Sequence, residues 1–230
     1  MQGNFSNSLK KAISHERLDA YIQRGTDGSD LNLFAHYAWN IALCESLYPA
    51  LQALEVSLRN SLHDAAVETF NSDSWFDDPR LISHPNELES IKKAKDILRI
   101  HNKPLESGRI VAELQFGFWT SLFDRRYEQV LWPKLIKKVV PSMPKRLRTR
   151  RNLSKRFNRI RHIRNRVFHH EPIWYWTDLK QQHAGLLETI SWINRPMCLL
   201  IQKIDNFGNV YDEGIKPYEE ILTILISDKS

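Results

Sequence analysis

Between Gln129 and His170 the chain carries fourteen Lys or Arg and no Asp or Glu. So cationic a segment can join a core only along a narrow line. Its sparse apolar residues are Leu147, Leu153, Phe157, Ile160, Ile163 and Val167, and most recur at steps of three or four. That is one stripe of a helix whose remaining circumference is positive. The spacing predicts a helix from about Lys145 to His169. Pro172 disfavours helical geometry at Glu171, so the helix ends just before it.

Nearly every other segment has the same period, and the expected class is all-α. Ser14 is placed to cap a helix reaching about Gln23, and Thr26-Asp27-Gly28-Ser29 ends it. Asp30 opens a helix over 31–47 with Leu33, Phe34, Tyr37, Ile41 and Leu47 as its apolar positions. Pro49 suits the first turn of another, striped by Leu51, Leu54, Leu58, Leu62 and Ala65. Residues 71–85 read as a loop pinned by Trp75 and Phe76. Further helices are expected over 86–100, from Ser107 to Phe123, over 131–140, and from Thr177 or Asp178 to about Asp205. A loop over 206–216 and a short helix over 218–226 follow. The expected organisation is a flexible N-terminus over 1–14, one helical domain over 15–205, and a C-terminal loop and helix over 206–230 packed on it.

The net charge is +6, and the 129–170 segment alone holds +14, which leaves the remainder at −8. Positive charge so localised suits an anionic partner, phosphate above all. No basic stretch followed by an apolar core opens the chain, and no apolar run approaches the roughly 18–20 residues of a membrane helix. A cytoplasmic protein is therefore expected. Cys44 and Cys198 lie in apolar helical contexts and read as reduced, buried thiols. His36, His84, His101 and His183 match no zinc-ligand spacing. There is no glycine-rich phosphate loop and no acidic cluster of the two-metal kind, so no metal and no cofactor are expected.

The cationic segment closes on Arg164-Asn165-Arg166-Val167-Phe168-His169-His170-Glu171-Pro172. These residue types fit one reaction. RNA carries its own nucleophile, the 2′-hydroxyl; a base removes its proton, an acid protonates the departing 5′-oxygen, and a cation steadies the charged phosphorane. Histidine exchanges a proton near neutral pH, and arginine grips phosphate with parallel hydrogen bonds. Asn165 and His169, four apart, share a helix face, so Asn165 is placed to orient His169. Arg164 and His169, five apart, stand about 140° apart on an ideal helix and converge only through the length of the arginine or through fraying near Pro172. One histidine does not fill both proton-transfer roles. Either His170 assists, or a second copy of the site lies across a dimer interface. Lys145, Arg146, Arg148, Arg150, Arg151, Lys155 and Arg159 are the expected contacts to the RNA backbone. The same charge would serve a non-catalytic RNA-binding or protein-interaction module equally well. Trp174, Tyr175 and Trp176 read first as core or dimer interface and second as a platform for unpaired bases.

Arg164-x4-His169 resembles the Arg-x4–6-His signature of HEPN domains. The wider chain resembles the Abi-like abortive-infection branch of that superfamily through three blocks: Tyr48 to Asn60, Gly108 to Trp119, and Ile163 to Trp174. The likeness spans about residues 15–205. It implies a HEPN-like helical bundle with additional helices and metal-independent RNA cleavage leaving a 2′,3′-cyclic phosphate. It also implies a homodimer and a role in phage defence or as a toxin. A toxic nuclease needs a restraint, and an RNA or protein antitoxin is one candidate for it. Carried over by position, Arg164 and His169 become the catalytic pair and Asn165 the polar residue after the arginine. Arg59-Asn60-Ser61-Leu62-His63 has too short a spacing to be a second motif. Glu55, Arg59 and Asn60 instead read as a polar cluster supporting the active helix.

Overall fold

A computed structural model of the chain describes residues 2–227. Among them the fold is all-helical, with no strand. In chain order the helices are α1 (Gln2–Ile13), α2 (His15–Ile22), α3 (Asp30–Phe70), α4 (Pro85–Ile100), α5 (Ser107–Glu113), α6 (Phe116–Ser121), α7 (Trp132–Val139), α8 (Arg150–Phe168), α9 (Leu179–Ile193), α10 (Arg195–Ile204), α11 (Phe207–Glu213) and α12 (Lys216–Ser227), with 3-10 turns at Trp75–Asp77 and Arg125–Tyr127. No helix is long and apolar enough to cross a membrane. Met1 and residues 228–230, at the ends of the expected terminal segments, lie outside the described residues.

Where one domain is expected over 15–205, the chain divides into two compact units. One comprises Met1–Pro49, Ile163–Ala184 and Ile204–Ser230, the other Ala50–His162 and Gly185–Lys203. In the first, Ser14 accepts the Arg17 N–H and caps α2 as its sequence suggests. Leu18 and Tyr21 of α2, Leu33 and Phe34 of α3, Ile13 of α1 and Leu222 of α12 make its core. The N-terminal stretch expected to be loose is thus helical, with Ile13 buried and Leu9 packed on that core. The second unit is centred on aromatic rings. Phe123 stacks on Trp132 at 4.2 Å and on Phe157 at 4.5 Å, while Trp119 meets Phe118 edge-on. Trp75 and Phe76 are fully buried and pin the 71–85 loop as expected.

Proline produces two departures from the expected boundaries. Pro49 does not start a helix but lies inside α3, which runs unbroken for 41 residues. An interior proline removes a hydrogen bond and costs about 3 kcal/mol. Buried Leu43, Leu47, Leu51 and Leu54 flank it, and each buried leucine stabilises by about 2 kcal/mol, so packing outweighs the local preference. Pro196 acts the other way and splits the long helix expected to reach Asp205. It cannot donate to the Trp192 carbonyl, which accepts the Ser142 N–H instead at 3.1 Å. Asn194 then caps α10 by accepting the Met197 N–H at 2.9 Å.

The helix expected from Ser107 is likewise two, α5 and α6. Leu114, extended between them, gives its carbonyl to the Trp119 indole. The cationic helix α8 begins at Arg150 rather than Lys145. Thr149 caps it by accepting the Asn152 N–H, and residues 144–149 form a tight turn.

Candidate functional site

On α8 the buried stripe is the expected one: Leu153, Phe157, Ile160, Ile163 and Val167 all point inward. The expected phosphate contacts separate into two classes. Arg148 folds back on its own turn, its Nη2 donating to the carbonyls of Met143 at 2.6 Å and Pro141 at 3.0 Å. Arg150 donates to the Phe123 carbonyl at 2.8 Å and lies 3.4 Å from a Glu128 oxygen. These two guanidiniums hold the fold and are withdrawn from the expected interface. Lys145, Arg146, Arg151, Lys155 and Arg159 are exposed and form no ion pair among the described residues. Arg151, Lys155 and Arg159 recur every four residues and make one cationic line along α8. They belong to the second unit, whereas Arg164, Asn165, His169 and His170 belong to the first.

The end of α8 is built by main-chain geometry. His170 has φ +56°, the left-handed region that few side chains adopt. Its N–H donates to the Val167 carbonyl at 3.2 Å, and the Glu171 N–H reaches back to the Arg166 carbonyl at 2.9 Å. This paired closure is the Schellman motif, with His170 where glycine is usual. The end of α4 repeats it with Asn102, at φ +51°. His169 is the last residue before the reversal, and its N–H donates to the Asn165 carbonyl at 2.9 Å. That main-chain bond joins the two; the Asn165 side chain makes no hydrogen bond among the described residues, so the expected orientation of His169 through the Asn165 amide is not seen.

Neighbouring elements of the first unit hold this turn. Arg17 of α2 donates to the His170 carbonyl at 2.6 Å. Asn40 of α3, 3% exposed, accepts the N–H of Ile173 at 2.7 Å and of Trp174 at 3.3 Å, and donates to the Glu171 carbonyl at 3.4 Å. Arg166 pairs with Glu171 at 2.8 Å and lies near the Trp176 ring. Arg164 is half-buried with its guanidinium 4.4 Å from the centroid of the Phe168 ring, a cation–π contact one helical turn on. Phe168 in turn meets Tyr48, ring centroids 5.8 Å apart. His169 is exposed.

No family model, curated protein or solved structure matches the chain.

Glu55, Arg59 and Asn60 lie in the second unit. Arg59 donates to the Ala112 carbonyl at 3.2 Å, and Asn60 lines a polar cleft with Ser57, Asp64 and Lys138. Of the aromatic string after the motif, Trp174 packs on His36 at 4.2 Å and on the first unit's core, and Tyr175 lies beneath the Arg24 guanidinium at 4.5 Å. Cys198 is buried and Cys44 half-buried, and burial raises both thiols, Cys44 to about 11. His183 faces Asp205 at 2.9 Å and stacks on Phe207; burial lowers its pKa, with Asp205 opposing. Among the described residues no cluster of His, Cys, Asp or Glu is gathered as a metal site.

Sequence reasoning passed over Asn40. Its signal was present, since Leu33, Tyr37, Asn40, Cys44 and Leu47 continue one helical stripe, and a polar residue on such a stripe needs buried partners. Ile41, counted among the apolar positions of that helix, is 53% exposed.

Proposed function

We propose that the chain is a metal-independent endoribonuclease acting through Arg164 and His169. The observation that carries this reading is a solvent-exposed histidine in the last turn of an acid-free cationic helix, with an arginine five residues before it. His169 takes the proton of an RNA 2′-hydroxyl. The freed oxygen attacks the adjacent phosphorus, the bond to the 5′-oxygen breaks, and the products are a 2′,3′-cyclic phosphate and a 5′-hydroxyl. Arg164 steadies the phosphorane charge. The proton for the departing oxygen comes from His170 or from the His169 of a second copy, which makes a homodimer part of the proposal. Lys145, Arg146, Arg151, Lys155 and Arg159 hold the strand. The resemblance to Abi-like HEPN proteins supports a cytoplasmic role in phage defence or as a toxin, held in check by an RNA or protein antitoxin.

One observation favours a second reading. Arg164 rests on Phe168, and helical geometry directs it about 140° away from His169, an arrangement that suits a module that binds RNA without cutting it. Labelled RNA incubated in EDTA with the parent and with His169→Ala separates the two. The nuclease reading expects cyclic-phosphate ends from the parent and at least a hundredfold slower cleavage by the variant. Binding without turnover in both proteins establishes the binding module.

A further inference from the structure

Beside the Arg164–His169 segment the first unit holds a cleft of about 540 Å³, with His170 in its lining. Ile41, Tyr48, Val167 and Phe168 give it apolar walls. Tyr48 is 47% and Phe168 39% exposed, so two large rings stand open at its mouth. Tyr21 lines its depth and is wholly buried. Asn40 is near, but its amide is committed to residues 171–174. Burial raises the Tyr21 phenol, which therefore stays protonated as a neutral donor.

The electrostatics of the cleft fix which end of a ligand enters. No Lys or Arg lines it; Glu45 and His170 do, and the Glu45 carboxylate disfavours a phosphate at its end. The Glu45 carboxylate accepts hydrogen bonds. Pro49, which also lines the cleft, has no N–H to give to the Glu45 main-chain carbonyl one turn before it. Phe168 is a wall of the cleft and also carries the Arg164 guanidinium. A flat group resting there leaves its substituent next to Arg164, in a cleft that His170 also lines.

We propose that this cleft receives one unpaired nucleobase of single-stranded RNA, stacked on Tyr48 and Phe168, with its ribose-phosphate directed to Arg164 and His170. Acceptors on the Glu45 side select a base with an exocyclic amine over uracil. The identity of the strand rests on the nuclease reading; the binding of a base does not.

The test uses the full chain, its Tyr48→Ala and its Glu45→Gln variants, all substituted at exposed positions. Cytidine and uridine 5′-monophosphates are titrated and followed by tryptophan fluorescence and amide shifts, and cleavage positions in a randomised RNA are mapped by sequencing. The expected result is saturable cytidine monophosphate binding that Tyr48→Ala weakens at least about fivefold. The bias in cleavage position should flatten in both variants. Cleavage by the parent whose bias neither variant alters overturns the base cleft and leaves the nuclease reading intact. Cytidine monophosphate binding that requires Tyr48, in a protein that cuts no RNA, overturns the nuclease reading and supports the cleft. No saturable binding of either nucleotide at millimolar concentration overturns the cleft whatever the cleavage result.

Discussion

Asn40 is the residue on which the turn after the helix depends most. Replacing it with alanine strands three main-chain groups, and they differ in cost. The Ile173 N–H, held at 2.7 Å, belongs to a fully buried residue and cannot reach water; an unsatisfied buried donor costs about 1–3 kcal/mol. Trp174 is half-buried, and its 3.3 Å bond is weaker. Glu171 is exposed, so its carbonyl regains a water. Adding the small void left by the amide, the loss comes to about 2–4 kcal/mol. Asn40→Asp keeps both accepted bonds, but sets an oxygen against the Glu171 carbonyl and places a carboxylate where burial disfavours its charge. Its deficit relative to the parent should narrow as pH falls, because protonation restores a donor. Amide exchange read at Ile173 and Trp174 tests the local claim. An opening cheaper by about 2 kcal/mol exposes these amides roughly thirtyfold more often. The urea midpoint should fall with an unchanged slope. If Asn40→Ala leaves both amides as protected as in the parent, Asn40 does not anchor the turn.

His170→Gly relieves a left-handed side chain and should stabilise the protein by up to about 1 kcal/mol, read as a rise in Tm; retained RNA cleavage would assign the second proton to another copy's His169, and lost cleavage would assign it to His170. Neutralising Arg151, Lys155 and Arg159 together to Gln should flatten the log–log salt dependence of single-stranded RNA binding by about 2, whereas Arg150→Gln should chiefly lower the unfolding midpoint; equal slopes in parent and triple variant remove the cationic line from the interface. Burial lowers the pKa values of His63 and His183, so below about 6.5 these two imidazoles bind more protons in the unfolded chain than in the folded one, and they lower stability as pH falls. His63 accepts the Trp75 indole N–H at 3.1 Å, so His63→Gln, which keeps an acceptor, should lose less than the parent between pH 7.5 and 5.5; equal losses refute this.

The all-α class, the buried stripe of α8, the Ser14 cap and the pinned 71–85 loop were legible because each follows from spacing within a few residues. Boundaries set by tertiary partners were not. Nothing local distinguishes Pro49, which a helix absorbs, from Pro196, which ends one. The difference lies in the buried leucines around the first and in Ser142, distant in sequence, which takes the carbonyl freed by the second. Likewise, Arg148 and Arg150 read as surface cations like their neighbours. Only folding shows that carbonyls of Pro141, Met143 and Phe123 occupy them.

The same distinction bears on the Arg164–Pro172 string. Val167 is core, and Arg166 pairs with Glu171, whose N–H closes on the Arg166 carbonyl. His170 takes the left-handed position of the cap, and Pro172 prevents the helix from resuming. These residues are accounted for by ending a helix, and any chain ending one this way would keep them. Arg164 has a structural contact of its own on Phe168. His169 is different. It is exposed, its side chain makes no hydrogen bond among the described residues, and the cap uses only its backbone. Folding asks nothing of that imidazole, so the case for chemistry rests on it more than on the arginine. Replacing His169 is therefore the substitution that tests the proposed cleavage without disturbing the turn that presents it.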